Sequence, residues 1–185
     1  MKKYLLLGYL LILTCFQSFG QDESLVLKKD EVSGDSYYEE VVQLPGLTQA
    51  DLFKRSKTWV LANMKTVDNN ISFDDKEYTI VNSTAVKVDK KKYLTYWIDD
   101  GLIEFKFHVW LKEGRYKFRI DNIVYHLVIN RGVKGISPRT TGYNELEDDK
   151  GDRYLKEQAS DKLSALIDVF KKGMLSEPKQ DKKDW

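Results

Sequence analysis

The chain has a single cysteine, Cys15, and it falls in the first twenty residues. Those residues read as an export leader. Lys2 and Lys3 form a basic start, and Leu5 to Phe16 an apolar run of the usual short length. Ser18 and Gly20 are small residues at the −3 and −1 positions of a cut before Gln21. The run is too short to favour a spanning helix, so no transmembrane span is expected in the mature chain. Ile-Leu-Thr-Cys15 is a poor match to a lipoprotein cleavage site, which favours a free mature chain over lipid attachment. After cleavage no cysteine remains, a disulfide is excluded, and stability in an oxidising compartment must come from the core. Histidine is almost as scarce. His108 and His126 are the only two, and neither has the spacing of a metal site or a Ser/His/Asp grouping. No cofactor is expected.

An excess of one charge is missing as well. Without Lys2 and Lys3 the chain carries 28 basic and 29 acidic residues. That balance argues against bulk binding to nucleic acid or anionic lipid, although a local basic patch survives it. No internal repeat is present. The length suits one domain with a sizeable core.

The clearest signal lies in Gly101 to Leu127. Ile103, Phe105, Phe107, Val109 and Leu111 alternate with Glu104, Lys106, His108, Trp110 and Lys112, the pattern of a strand with one buried face. Glu113-Gly114 reads as a two-residue hairpin loop, with glycine supplying the positive φ. Tyr116, Phe118 and Ile120 then alternate with Lys117, Arg119 and Asp121. This register sets Trp110 opposite Lys117, His108 opposite Arg119, and Lys106 opposite Asp121.

Elsewhere, residues 21–36 are expected to be a flexible N-terminal arm, and Tyr37 to Leu44 the first strand. Thr48 and Asp51 form a capping box for a helix whose buried stripe is Leu52, Phe53, Ser56, Trp59, Val60 and Met64. Asp68 to Lys76 reads as turn, Tyr78 to Val88 as a strand with a bend or bulge at Asn82-Ser83, and Tyr93 to Ile98 as a short strand. Asp99-Asp100-Gly101 is expected to turn the chain into the hairpin. Asn82-Ser83-Thr84 has the form of a glycosylation acceptor. Residues 128–151 read as one long loop, and its acidic run Glu145 to Asp149 lacks the spacing of a calcium loop. A second helix is expected to begin near Asp152, bury Leu155, Ala159, Leu163, Leu166, Ile167 and Phe170, and stop at Gly173. Residues 176–185 read as a disordered tail, leaving 37–175 as a single domain. The economical architecture is α+β: both helices on one face of a curved antiparallel sheet, the other face open.

Leu44 to Val60 resembles the strand–turn–helix opening of a bacterial exported domain-of-unknown-function family with a TBP-like fold, and Lys112 to Asp121 resembles its hairpin turn and following strand. The resemblance covers about Tyr37 to Tyr125, implies the strand–helix–strands–helix order of half a TATA-binding-protein saddle, and brings no catalytic residues with it. The expected function is an exported, periplasmic or secreted, non-catalytic module binding an envelope protein or polymer through His108, Trp110, Lys117 and Arg119. A structural homo-oligomer is the alternative and an unrecognised hydrolase a further one. Export and balanced charge oppose nucleic acid as partner.

Overall fold

The structure, a computed structural model, describes residues 25–64, 66–93 and 96–176. Residues 1–20, expected to be an export leader, residues 21–24 of the expected arm, and residues 177–185 lie outside the described residues. The elements in chain order are β1 (Lys28–Lys29), β2 (Ser36–Gln43), α1 (Gln49–Asn63), β3 (Thr66–Asp74), β4 (Thr79–Lys87), β5 (Lys91–Lys92), β6 (Trp97–Lys112), β7 (Arg115–Asn130), β8 (Ile136–Gly142) and α2 (Lys150–Leu175). All strand pairings are antiparallel, in the order β1-β2-β7-β6-β4-β3, with β5 beside β6 and β8 beside β7.

The long hairpin β6–β7 is the spine of the sheet, and its register is the one the alternation predicts. Lys112 pairs with Arg115, Leu111 with Tyr116, Val109 with Phe118 and Phe107 with Ile120, around Gly114 at φ 66°. The inward residues Ile103, Phe105, Phe107, Val109, Phe118 and Ile120 are fully buried. β7 then changes phase. Asn122 takes φ 51° in a bulge, so Ile123, Tyr125, Leu127 and Ile129 are buried where continued alternation would have buried their neighbours.

Both helices cover the inward face. Thr48 caps α1 by accepting from Asp51 N at 3.1 Å, and Leu52, Phe53, Ser56, Trp59 and Val60 are buried along the expected stripe. Phe170 of α2 is the hub of the core, meeting Trp59, Phe107 and Tyr116 edge-on at 4.9, 5.0 and 5.5 Å. Such aromatic pairs contribute about 0.5–1.5 kcal/mol each beyond the area they bury. Arg55 of α1 donates to the last carbonyls of α2, Met174 O at 3.1 Å and Leu175 O at 3.0 Å, locking the helix pair.

Several expectations are corrected. Of the arm, Lys28 and Lys29 pair with β2, and Leu25 and Leu27 pack against the core. The polar stretch expected to be turn is largely β3, an edge strand that one side of pairing suffices to hold; only Ile71 and Phe73, two apart, betray it. Asp99-Asp100-Gly101 is no turn: β6 runs straight through it with a bulge between Ile98 and Asp100. Gly101 is needed there for packing, since a Cβ would come 2.8 Å from Leu127 Cδ2 and 3.2 Å from Val88 Cβ. Asn82 continues β4 without a bulge and is fully buried on the helix-facing side, so its side chain is closed to glycosylation.

The 128–151 loop is mostly ordered structure. β7 continues to Asn130, a short turn at Gly132–Lys134 follows, and β8 returns against β7 before a second 3-10 turn, Tyr143–Glu145. β8 (ISPRTTG) hides because it is a polar edge strand held by backbone pairing and carries little apolar alternation. α2 starts earlier than expected, capped by Asp149, which accepts from Asp152 N at 2.7 Å. It also passes through Gly173 to Leu175. A Cβ on Gly173 would stand 2.2 Å from Trp59 Cδ1, so this glycine is a close-approach point between the two helices.

Candidate functional site

The open face of the β6–β7 hairpin brings all four expected residues together. His108 and Trp110 lie two apart on β6, their rings parallel within 6° and 5.5 Å between centroids. Across the ladder, Lys117 faces Trp110 and Arg119 faces His108. Lys117 Nζ lies 4.4 Å from the Trp110 ring centroid and 3.2 Å from Glu39 Oε2 on β2. A cation over an indole in a half-exposed setting contributes about 0.5–1 kcal/mol.

Arg119 is more heavily engaged. Its guanidinium lies 4.0 Å from the Tyr37 ring centroid, its Nε donates to Asp121 Oδ2 at 2.9 Å, and its Nη2 donates to Asp30 Oδ2 at 3.3 Å. Asp30 also accepts from the Val32 and Ser33 amides, and these bonds, with Arg119 beside it, hold its carboxyl below the usual range. His108 Nε2 lies 3.2 Å from the other oxygen of Asp121. Partial burial raises the Asp121 carboxyl, but its bond with His108 and the charge of Arg119 outweigh this and hold it low. His108 and Arg119 thus belong to a closed network that fastens the β1–β2 turn to the sheet.

The cations left over lie one step nearer the hairpin tip. Lys112 and Arg115 make no ion pair among the described residues. Together with Val41, Trp110, Tyr116 and Lys117 they line an open groove of about 350 Å³. Val41 pairs with Lys117 and is half exposed, which adds an apolar wall. Strand parity puts Lys112 and Arg115 on the face of Trp110, so that signal is in the sequence. The pairing of β2 with β7, which brings Val41, is not.

A second polar row crosses the same face. His126 Nε2 is 3.1 Å from Glu104 Oε2, and its Nδ1 is 3.4 Å from Thr140 Oγ1. All three side chains stand on an open surface and form a cross-strand bridge joining β6, β7 and β8. The acidic run is likewise distributed over structural duties. Glu145 accepts from Gly142 N at 2.9 Å and from Thr141 Oγ1 at 3.1 Å, and Asp149 caps α2. Asp152, almost fully buried, accepts from both Arg139 Nη atoms at 2.8 and 3.1 Å and from Glu147 N at 2.9 Å. Burial alone would raise its carboxyl, but these bonds keep it below the ordinary range. Among the described residues, no three His, Cys, Asp or Glu side chains gather into a metal site.

Residues 38–126 match the family described as a domain of unknown function (DUF4468) with TBP-like fold. The matched segment is just under half of the chain. The match spans β2 to most of β7, the part of the sheet that carries the groove. Two solved structures share the fold. A TBP-like protein from Parabacteroides distasonis superposes with a TM-score of 0.65 at 14% identity, over 84% of this chain and 100% of that one. A DUF4468 family protein from Bacteroides ovatus gives 0.59 at 17% identity, over 86% and 97%. No curated protein matches.

Proposed function

We propose that this protein, which carries a DUF4468-like segment with TBP-like fold, is an exported, non-catalytic binding module of the bacterial cell envelope, and that the open face of its β6–β7 hairpin takes the partner. The observation that carries this reading is the groove beside Trp110. Its floor is aromatic, one wall is the exposed Val41, and Lys112 and Arg115 present charges that nothing among the described residues answers. An apolar contact flanked by unspent cations suits an envelope protein or polymer with an anionic group next to an apolar one. His108 and Arg119 support the site by holding Asp121 and Asp30, while Trp110 and Lys117 line it. The leader supports export, with the mature chain periplasmic or secreted.

Affinity capture from the native envelope tests the reading, with wild type, Trp110→Ala and Arg115→Glu side by side after circular dichroism shows that all three fold. Wild type is expected to retain a partner that both variants lose. Retention of the same partner by both folded variants would rule out the groove.

A further inference from the structure

The other end of the same sheet face has a different character. Lys92 on β5 pairs with Trp97 on β6, Trp97 with Asn130 on β7, and Asn130 with Ile136 on β8. Paired residues share a face, so Lys92, Trp97, Asn130 and Ile136 form one row across four strands on the side away from the helices. Beyond this row the β7–β8 connection projects as a formed tip. Arg131 N donates to Gly135 O at 2.9 Å, Gly135 N to Gly132 O at 2.9 Å, and Gly132 N to Asn130 Oδ1 at 3.0 Å. Trp97 backs the tip, its ring atoms 4.0 Å from where a Cβ on Gly132 would stand.

The tip presents apolar side chains to water. Val133 is wholly exposed (108%) and Ile136 largely so (64%). Cations accompany them: Arg131 and Lys134 on the tip, and Lys92 beside Trp97. None of these three makes an ion pair among the described residues, whereas Asp99 and Asp89 are taken by Lys90 at 3.0 Å and Lys162 at 2.8 Å. An exposed aliphatic pair, ringed by free cations and backed by tryptophan, is the chemistry of a protein surface that rests on an anionic bilayer. A soluble anion would answer the cations and leave Val133 and Ile136 in water; a lipid headgroup layer answers both. Among the described residues no helix is long and apolar enough to cross a membrane.

We propose that this end of the sheet docks on the surface of an anionic bilayer, with Val133 and Ile136 entering the boundary between headgroups and acyl chains while Arg131, Lys134 and Lys92 meet lipid phosphates. The contact is peripheral and reversible, and it leaves the groove near Trp110, at the far end of β6, free for its own partner.

Hydrogen exchange of the 131–136 amides in the full chain tests this, because the readout is local and independent of where else the chain touches lipid. Vesicles of phosphatidylcholine with phosphatidylglycerol are expected to protect these amides, and vesicles of phosphatidylcholine alone are not. Protection should vanish near 1 M salt, where the screening length falls to about 3 Å. Val133→Asp, at a side chain that touches nothing, and the pair Lys92→Glu/Lys134→Glu should each raise the lipid concentration for half-protection at least about tenfold. Trp110→Ala should leave it unchanged. Unchanged exchange on anionic vesicles, equal protection on zwitterionic ones, or equal protection by soluble polyglutamate would each overturn the proposal, the last by making the occupant an acidic polymer.

Discussion

Replacing Gly173 by alanine sets helix propensity against packing, and the two forces predict opposite signs. In an open helical position alanine is better than glycine by about 1 kcal/mol. At Gly173 the new methyl would stand 2.2 Å from Trp59 Cδ1, 2.7 Å from Nε1 and 3.0 Å from Cγ. Carbon–carbon contact is comfortable at about 3.5–4.0 Å, so indole and helix must part by roughly 1.3 Å. Trp59 has nowhere to go: Phe170 lies 4.9 Å from it and Phe107 6.5 Å, centroid to centroid. The helix pair is also tied by Arg55 to the carbonyls of Met174 and Leu175. Overpacking of this kind costs about 1–3 kcal/mol, occasionally more, and a backbone-borne clash with a wedged indole belongs at the upper end. After the propensity gain, a net loss of about 2 kcal/mol remains, or about 4–8 °C in Tm for a domain of this size. Urea unfolding followed by circular dichroism measures it. A cycle with Trp59→Leu isolates the cause: in that background Gly173→Ala should lose most of its penalty, with a coupling of at least ~1 kcal/mol. A stabilised Gly173→Ala protein would refute the close approach and restore Gly173 to an ordinary helix-end position.

Asp152→Ala should destabilise by about 2–4 kcal/mol, because it strands the Glu147 amide and the Arg139 fork together. The β8 amides should then exchange faster than those of central β6, and a loss under about 0.5 kcal/mol would show that the β8–α2 tie is incidental. Asp30, Asp121, Glu145 and Asp152 all have carboxyls held low in the folded chain, so the unfolded chain binds more protons as acid is added. Their stabilisation is complete above the unfolded values near 4 and is lost as pH falls through the lower folded ones. Tm should therefore hold from about pH 7 to 5 and drop below about pH 4, less steeply in Asp121→Asn; a Tm that rises on acidification would contradict this assignment.

The sequence by itself determined the hairpin, because period-two alternation and a two-residue loop admit only one register that keeps Phe107, Val109 and Phe118 together inside. It determined α1 through Thr48 and its apolar stripe, and it set His108, Trp110, Lys117 and Arg119 on one face, since face and opposition follow from counting along two paired strands. Tertiary structure decided whatever depends on a distant partner. β3 and β8 hide for another reason: they are polar edge strands paired on one side only, each to its neighbour in the chain, β4 and β7, and their apolar alternation is too sparse to announce them. Gly101 and Gly173 look like punctuation until Leu127 and Trp59 are brought against them. His108 and Arg119 look like free surface groups until Asp30 and Asp121 spend them, which leaves Lys112 and Arg115 as the uncommitted charges. The physical reason is range. Alternation and capping are written within a few residues, whereas packing and charge pairing are settled by side chains that meet only after the sheet has formed.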